Sequence, residues 1–355
     1  MKIKRNKLIN ITIVIIFIVV YILFAVKPFR SNIQLEPVWT IDVINAERMI
    51  VEDTAMPFKL GNNIGYFTEN GEVCLLKQIE DTQMSAITED VYAVYNNTAT
   101  ETEVNFIKED SSSVIRRAGF PFFEEGRLFM MYPNGNGFSK YAKDGSELWG
   151  FEYYCPITSI QSTENLVVVG FADGVIIVLD SKGEQKHVIQ PAGSEYEVIF
   201  GTAISKNGEY IACISGLNKQ RLVLIDISEK TSKIVFHEYV DIESIDQRLV
   251  RFSENGKYVF FNEENSFVAV DIDERESVKI PTEGKVVQIK EAAGGDFYFV
   301  LSKDSDESTV HILNKNMYYV GNFKLNNRNT FIESDSDNLY VGNGQKISKI
   351  SLKAL

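Results

Sequence analysis

NLVVVGFADGVIIVLDSKGE, from Asn165 to Glu184, is an apolar strand, an Asp-Gly turn, a second apolar strand and a polar Lys-Gly turn. Asp-Gly and Asn-Gly between apolar runs are strong hairpin signals, because the tight turn needs positive φ, which glycine adopts without steric cost. Working outward, the same unit recurs. Ile64–Lys77 gives IGYFTENGEVCLLK, turning at Asn70-Gly71, and Arg127–Tyr153 turns near Asn136-Gly137 and again at Asp144-Gly145. Tyr210–Tyr239, Tyr258–Ile280, Phe297–Leu325 and Leu339–Leu352 follow the same plan, and Val91–Ile107 is a weaker copy.

That makes about eight units, starting roughly 27 to 48 residues apart and mostly near 40, the spacing of propeller blades with four strands each. Upstream of many units stands an inner strand: Ile157–Ile160, Thr202–Ser205, Leu249–Phe252 and Val286–Ile289. The expected fold is all-β, a β-propeller of about eight four-stranded blades, with seven the alternative count because the Ile64 and Val91 units are short. A solenoid would need shorter rungs. Two β-sandwiches could hold as many strands but give no reason for a match between the chain ends. Such a match exists. The last unit lacks an outermost strand, while PVWTIDV at Pro37–Val43 stands alone and aligns with the outer strand ELWGFEY at Glu147–Tyr153. Trp39 and Trp149, the only tryptophans, fall at the same place. Pairing 37–43 with the C-terminal blade would close the ring and remove an exposed edge.

From Asp144 to Glu184 the chain resembles the repeat of the PQQ-like and WD40-like bacterial propellers: a turn, a Trp-containing outer strand, then a V-x-x-G-x-x-D-G hairpin. SKNGEYIA and SENGKYVF are similar to the S-x-(D/N)-G element of WD40-like units. The resemblance implies architecture, and such folds host enzymes, scaffolds and receptors alike. An anchored, PQQ-like layout is also similar to the periplasmic propeller subunit of the outer-membrane protein assembly machinery. That subunit is a lipoprotein, whereas here no cysteine follows the apolar N-terminal run.

That run, Leu8–Val26, is uncharged and spans about 28 Å as a helix, close to the bilayer's hydrocarbon thickness. Lys2, Lys4, Arg5 and Lys7 precede it and only Lys27 and Arg30 follow closely. The more basic flank stays in the cytoplasm. The expected organisation is therefore a cytoplasmic N-terminus (1–7), one transmembrane signal-anchor helix (8–26), a tether (27–36) and a periplasmic propeller (37–355). A cleaved signal peptide is the rival, though its apolar core is usually shorter and ends in a small-x-small site.

Beyond Val26 the chain holds 32 basic against 49 acidic side chains, a balance of −17, because Lys2, Lys4, Arg5 and Lys7 are the only charged residues before that point. Such a surface repels phosphate backbones, so nucleic acid is not an expected partner. Cys74, Cys155 and Cys213 are widely spaced and odd in number, which suits buried thiols better than a disulfide framework.

No residue constellation carries chemistry. His187, His237 and His311 fall on or near outer strands of different units, without ligand spacing, and no nucleophile elbow, Walker loop or dinucleotide fingerprint occurs. The acidic runs at Asp304, Asp306 and Glu307 and at Glu333, Asp335 and Asp337 lack the glycine and distal glutamate of a calcium loop. No catalytic residue, metal or cofactor is expected. The expectation is a non-enzymatic scaffold binding protein partners at or near the membrane. Its candidate face collects the second-to-third-strand turns and the connections between blades: Tyr153, Tyr154, Pro156, Phe171, Pro191, Arg221 and Asn262. The alternative is a ligand sensor, hydrolase or lyase using the central funnel, for which carboxylates and Arg should converge on the axis.

Overall fold

The computed structural model describes Phe17 and residues 33–46, 55–96, 101–108, 111–242, 244–292 and 295–354. The anchor expected at 8–26 therefore lies, Phe17 apart, outside the described residues. No helix among the described residues is long and apolar enough to cross a membrane.

The described residues form eight antiparallel sheets. In chain order we number them blade 1 (residues 56–78), blade 2 (84–115), blade 3 (120–152), blade 4 (157–189), blade 5 (199–239), blade 6 (250–281), blade 7 (285–325) and blade 8 (330–354). Blades 2–7 each run through four strands in order from the axis outward. Seven blades are thus excluded as the count. Blade 8 takes three strands from the C-terminus and its outermost from the N-terminus: Ile33–Asp42 runs antiparallel to Lys346–Ala354, with Trp39 opposite Lys349. This strand begins at Ile33 rather than Pro37, so residues 33–36, read from sequence as tether, are part of the sheet.

Blade 1 departs from the expected four strands; three lie among the described residues. Its last pair carries a bulge at Tyr66/Phe67 just before the turn, as the third and fourth strands of blades 3, 4, 5 and 7 do. By that register its strands hold the second to fourth positions. Residues 47–54, immediately upstream, lie outside the described residues.

The turns show why these residues form these hairpins. In SKNGEYIA, Tyr210 N donates to Ser205 Oγ (2.9 Å) and Glu209 N to Asn207 Oδ1 (3.2 Å). In SENGKYVF the same bonds recur from Tyr258 N to Ser253 Oγ (2.9 Å) and from Lys257 N to Asn255 Oδ1 (3.0 Å). Between third and fourth strands Asp180 plays the corresponding part, accepting from Lys182 N (2.9 Å) and Glu184 N (3.0 Å). Short Asx and Ser side chains thus satisfy turn amides that the ladders leave open.

Buried apolar side chains gather into eight clusters, each between two neighbouring blades. The cluster between blades 8 and 1 contains Phe58, Phe67, Phe331 and Tyr340, none more than 6% exposed. Each such side chain contributes roughly 1.5–3 kcal/mol on burial, so the seam is packed as firmly as any internal interface. Cys74, Cys155 and Cys213 form no disulfide. His187 and His237 stand on fourth strands, but His311 is on the third strand of blade 7, where it is buried against Ser302 Oγ (3.0 Å).

Candidate functional site

Two surfaces of the ring carry candidate functional side chains. The upper face holds the second-to-third-strand turns and the blade-to-blade connections; the lower face holds the other two sets of turns.

On the upper face, Tyr153 ends blade 3. Its ring lies 4.2 Å from that of Tyr154 and 4.4 Å from that of Phe171, and its hydroxyl donates to Asp173 Oδ2 (3.3 Å). Burial raises the Tyr153 phenol above its usual range, so it acts as a neutral donor. Tyr154 and Pro156 are exposed. The other candidates are not surface groups. Phe171 and Asn262 are fully buried, Arg221 is 8% exposed and Pro191 is buried. Arg221 Nη2 donates to the carbonyl oxygens of Pro191 (2.8 Å) and Ala192, fixing the connection between blades 4 and 5. Asn262 Oδ1 accepts from Leu249 N (2.9 Å). Loop carbonyls and amides cut off from water need such partners, so these residues hold the face rather than form it.

What they hold is apolar. Along the arc from blade 3 to blade 6 the connections and turns present Tyr154 (79% exposed), Tyr196 (56%), Leu217 (38%), Tyr239 (61%) and Ile245 (69%). Gln220 Nε2 and Arg248 Nη2 both donate to Ser244 O (2.8 and 3.0 Å), which fixes the connection bearing Ile245.

The second surface is the axis at its lower end. A cavity of about 590 Å³ opens between blades 3 and 6, and another of about 510 Å³ lies beside blades 1, 2, 7 and 8. They share Glu124, Glu125 and Arg251. Glu124, closing the first strand of blade 3, accepts from Ser162 N (2.5 Å) and Ser162 Oγ (3.0 Å). Glu291, closing the first strand of blade 7, accepts from Glu254 N (2.9 Å). Burial pushes both carboxyls up to about 7, against the pull of Arg251, which acts on each. Lys290 pairs with Glu333 at 2.7 Å. The axis therefore gathers carboxylates around Arg251 rather than an apolar plug.

Inspection of the sequence missed this cluster. Its signal was a charged residue at the end of, or alternating within, four of the inner strands, those of blades 3, 6, 7 and 8: FFE, VRF, IKE and IES.

A sequence profile described as "beta-propeller protein" matches residues 1–355. A Treponema pallidum (strain Nichols) protein, itself described as uncharacterized, is 27% identical over 369 residues, covering 100% of this chain and 97% of its own. The crystal structure of BamB from Moraxella catarrhalis aligns with TM-score 0.58 at 14% identity, covering 90% of this chain and 100% of that one. The Dos1 propeller aligns with TM-score 0.62 at 11% identity, covering 89% and 95%. At those identities the likeness to solved structures is one of fold alone. With the whole length matched and eight blades closed by the N-terminal strand, the chain belongs to the beta-propeller protein family.

Proposed function

We propose that this protein is a membrane-tethered, extracytoplasmic propeller whose upper face holds a partner protein close to the bilayer. One observation carries the interaction role: the exposed arc Tyr154, Tyr196, Leu217, Tyr239 and Ile245, presented by connections that buried Arg221, Gln220 and Arg248 pin in place. Exposed aromatic groups on rigid loops lose little entropy on binding and bury much area, the pattern of interface hot spots.

The tether follows from the N-terminal apolar run and its basic flank. An anchor at 8–26 reaches the ring through residues 27–32, at most roughly 22 Å when extended. It joins at Ile33, opposite Ala354, on the lower side of blade 8.

Affinity purification of the full chain from crosslinked membranes tests the reading. A partner recovered with the wild type and lost with Tyr154→Ala/Tyr196→Ala supports it; equal recovery from both removes it. A reporter fused after Leu355 tests the export: activity of a cytoplasm-only reporter would contradict it.

A further inference from the structure

We propose that the lower axial cavity between blades 3 and 6 binds a small anion, a carboxylate or phosphate compound, held between Arg251 and Lys140. The site is separate from the upper-face arc.

The pattern of paired and unpaired charge carries the assignment. Most ionic groups lining this cavity are engaged. Arg127 pairs with Glu125 (3.0 Å) and donates from Nε to Ser162 Oγ (2.9 Å). Lys206 pairs with Glu254 (3.0 Å). Glu124 accepts two bonds from Ser162. Arg251, on the first strand of blade 6, and Lys140, on the third strand of blade 3, have no hydrogen-bond or ion-pair partner among the described residues, yet both line the cavity. Glu164, exposed at the rim, is the one lining carboxylate left without a partner there. Arg251 is likewise exposed and Lys140 half-buried, so the unpaired lining charges are two positive against one negative.

The geometry suits an oxyanion. Arg251 offers a planar fork of donors and Lys140 a point charge, the usual complement for carboxylate and phosphate. Gln161, also on the cavity wall, accepts from Ile204 N at its Oε1 (2.8 Å), which leaves its amide NH₂ to donate. A volume of about 590 Å³ holds a small metabolite.

Acidity should modulate the site. Glu124 faces Ser162, Arg127 and Arg251; Glu291 faces Glu254, Arg251 and Lys206, with Tyr298 nearby. Both carboxyls titrate near 7. Above that pH their negative charges oppose an incoming anion and compensate Arg251. Below it they are neutral, and the guanidinium charge acts on the ligand unopposed.

Calorimetry and thermal shift on the full chain, with citrate and with inorganic phosphate against chloride at matched ionic strength, test the proposal. At least one probe should bind, several-fold tighter at pH 6 than at pH 8. Arg251→Ala should weaken it roughly 10- to 100-fold, Lys140→Gln less, and Arg251→Lys should fall between wild type and Arg251→Ala. Neither Arg251 nor Lys140 supports a neighbour by hydrogen bond or ion pair, so the variants should fold, and unchanged melting without ligand verifies this. No stabilisation beyond chloride at pH 6, or binding unchanged in both Arg251→Ala and Lys140→Gln, would overturn the proposal.

Discussion

The indole of Trp39 lies over Gly71: a Cβ on that glycine would stand 3.1 Å from Trp39 Cδ2 and Cε2. Trp39 belongs to the strand that completes blade 8 and Gly71 to the last turn of blade 1, so the contact spans the seam where the chain ends meet. Trp149 repeats the relation inside the ring, over Gly183, where a Cβ would stand only 2.7 Å from its Cδ2. Each indole Nε1 also donates to a carbonyl of the turn it covers, Glu69 O (3.1 Å) and Ser181 O (2.9 Å). The seam is therefore built like an internal blade junction.

A ranked series of glycine substitutions follows. Gly71, Gly183 and Gly256 all have positive φ, so alanine costs each about 1–2 kcal/mol in backbone strain. A methyl group on Gly256 would meet nothing within 4 Å, while the other two meet tryptophan rings. In denaturant titrations stability should fall in the order Gly256→Ala, Gly71→Ala, Gly183→Ala, the last losing most.

Trp39→Ala should loosen the seam. It removes the bond to Glu69 O and the ring contacts with Phe67 (6.5 Å) and Tyr340 (6.0 Å). Because Trp39 is only partly buried, the cost should lie near the lower end of core aromatic truncations, roughly 3 kcal/mol. Hydrogen exchange should rise in Ile33–Asp42 and Lys346–Ala354 before it rises in blades 4 and 5. Uniform loss of protection would mean that closure does not depend on this strand.

Stability should depend on pH through Glu124. Its folded value of about 7 lies above the ordinary 4.5, so the folded protein binds the extra proton between those limits. Its stabilising contribution is complete below about 4.5 and is lost as pH rises through 7. Glu124→Gln keeps an acceptor for Ser162 N and removes the buried charge. It should be more stable than wild type at pH 8, by at most roughly 3 kcal/mol, with the gap closing as pH falls toward 4.5. Urea melts at pH 5 and pH 8 give the comparison.

Much of the fold was legible because its turns are chemically explicit. Asn207-Gly208, Asn255-Gly256 and Lys182-Gly183 mark hairpins in which the side chains of Asn207, Asn255 and Asp180 bond turn amides, and apolar strands between them leave little choice of partner. The site was less legible. Arg221 and Asn262 look like surface loop residues, but a folded loop needs its own carbonyls and amides satisfied, and these side chains are buried doing so. Arg251 in LVRFSENG reads as an outward-facing strand residue. Only ring closure turns that position toward the axis, and no local pattern reports it. The exposed Tyr196 and Ile245 lie in connections with no periodicity to flag them.

Site-specific photocrosslinking in intact cells tests the central claim most directly. A photoreactive residue in place of Tyr154, Tyr196 or Ile245, on the upper arc, is compared with one in place of Lys230, in a lower-face turn of blade 5. The account predicts one and the same adduct from the three upper positions and none from Lys230. Adducts absent from the upper positions, or equally strong from Lys230, would contradict it.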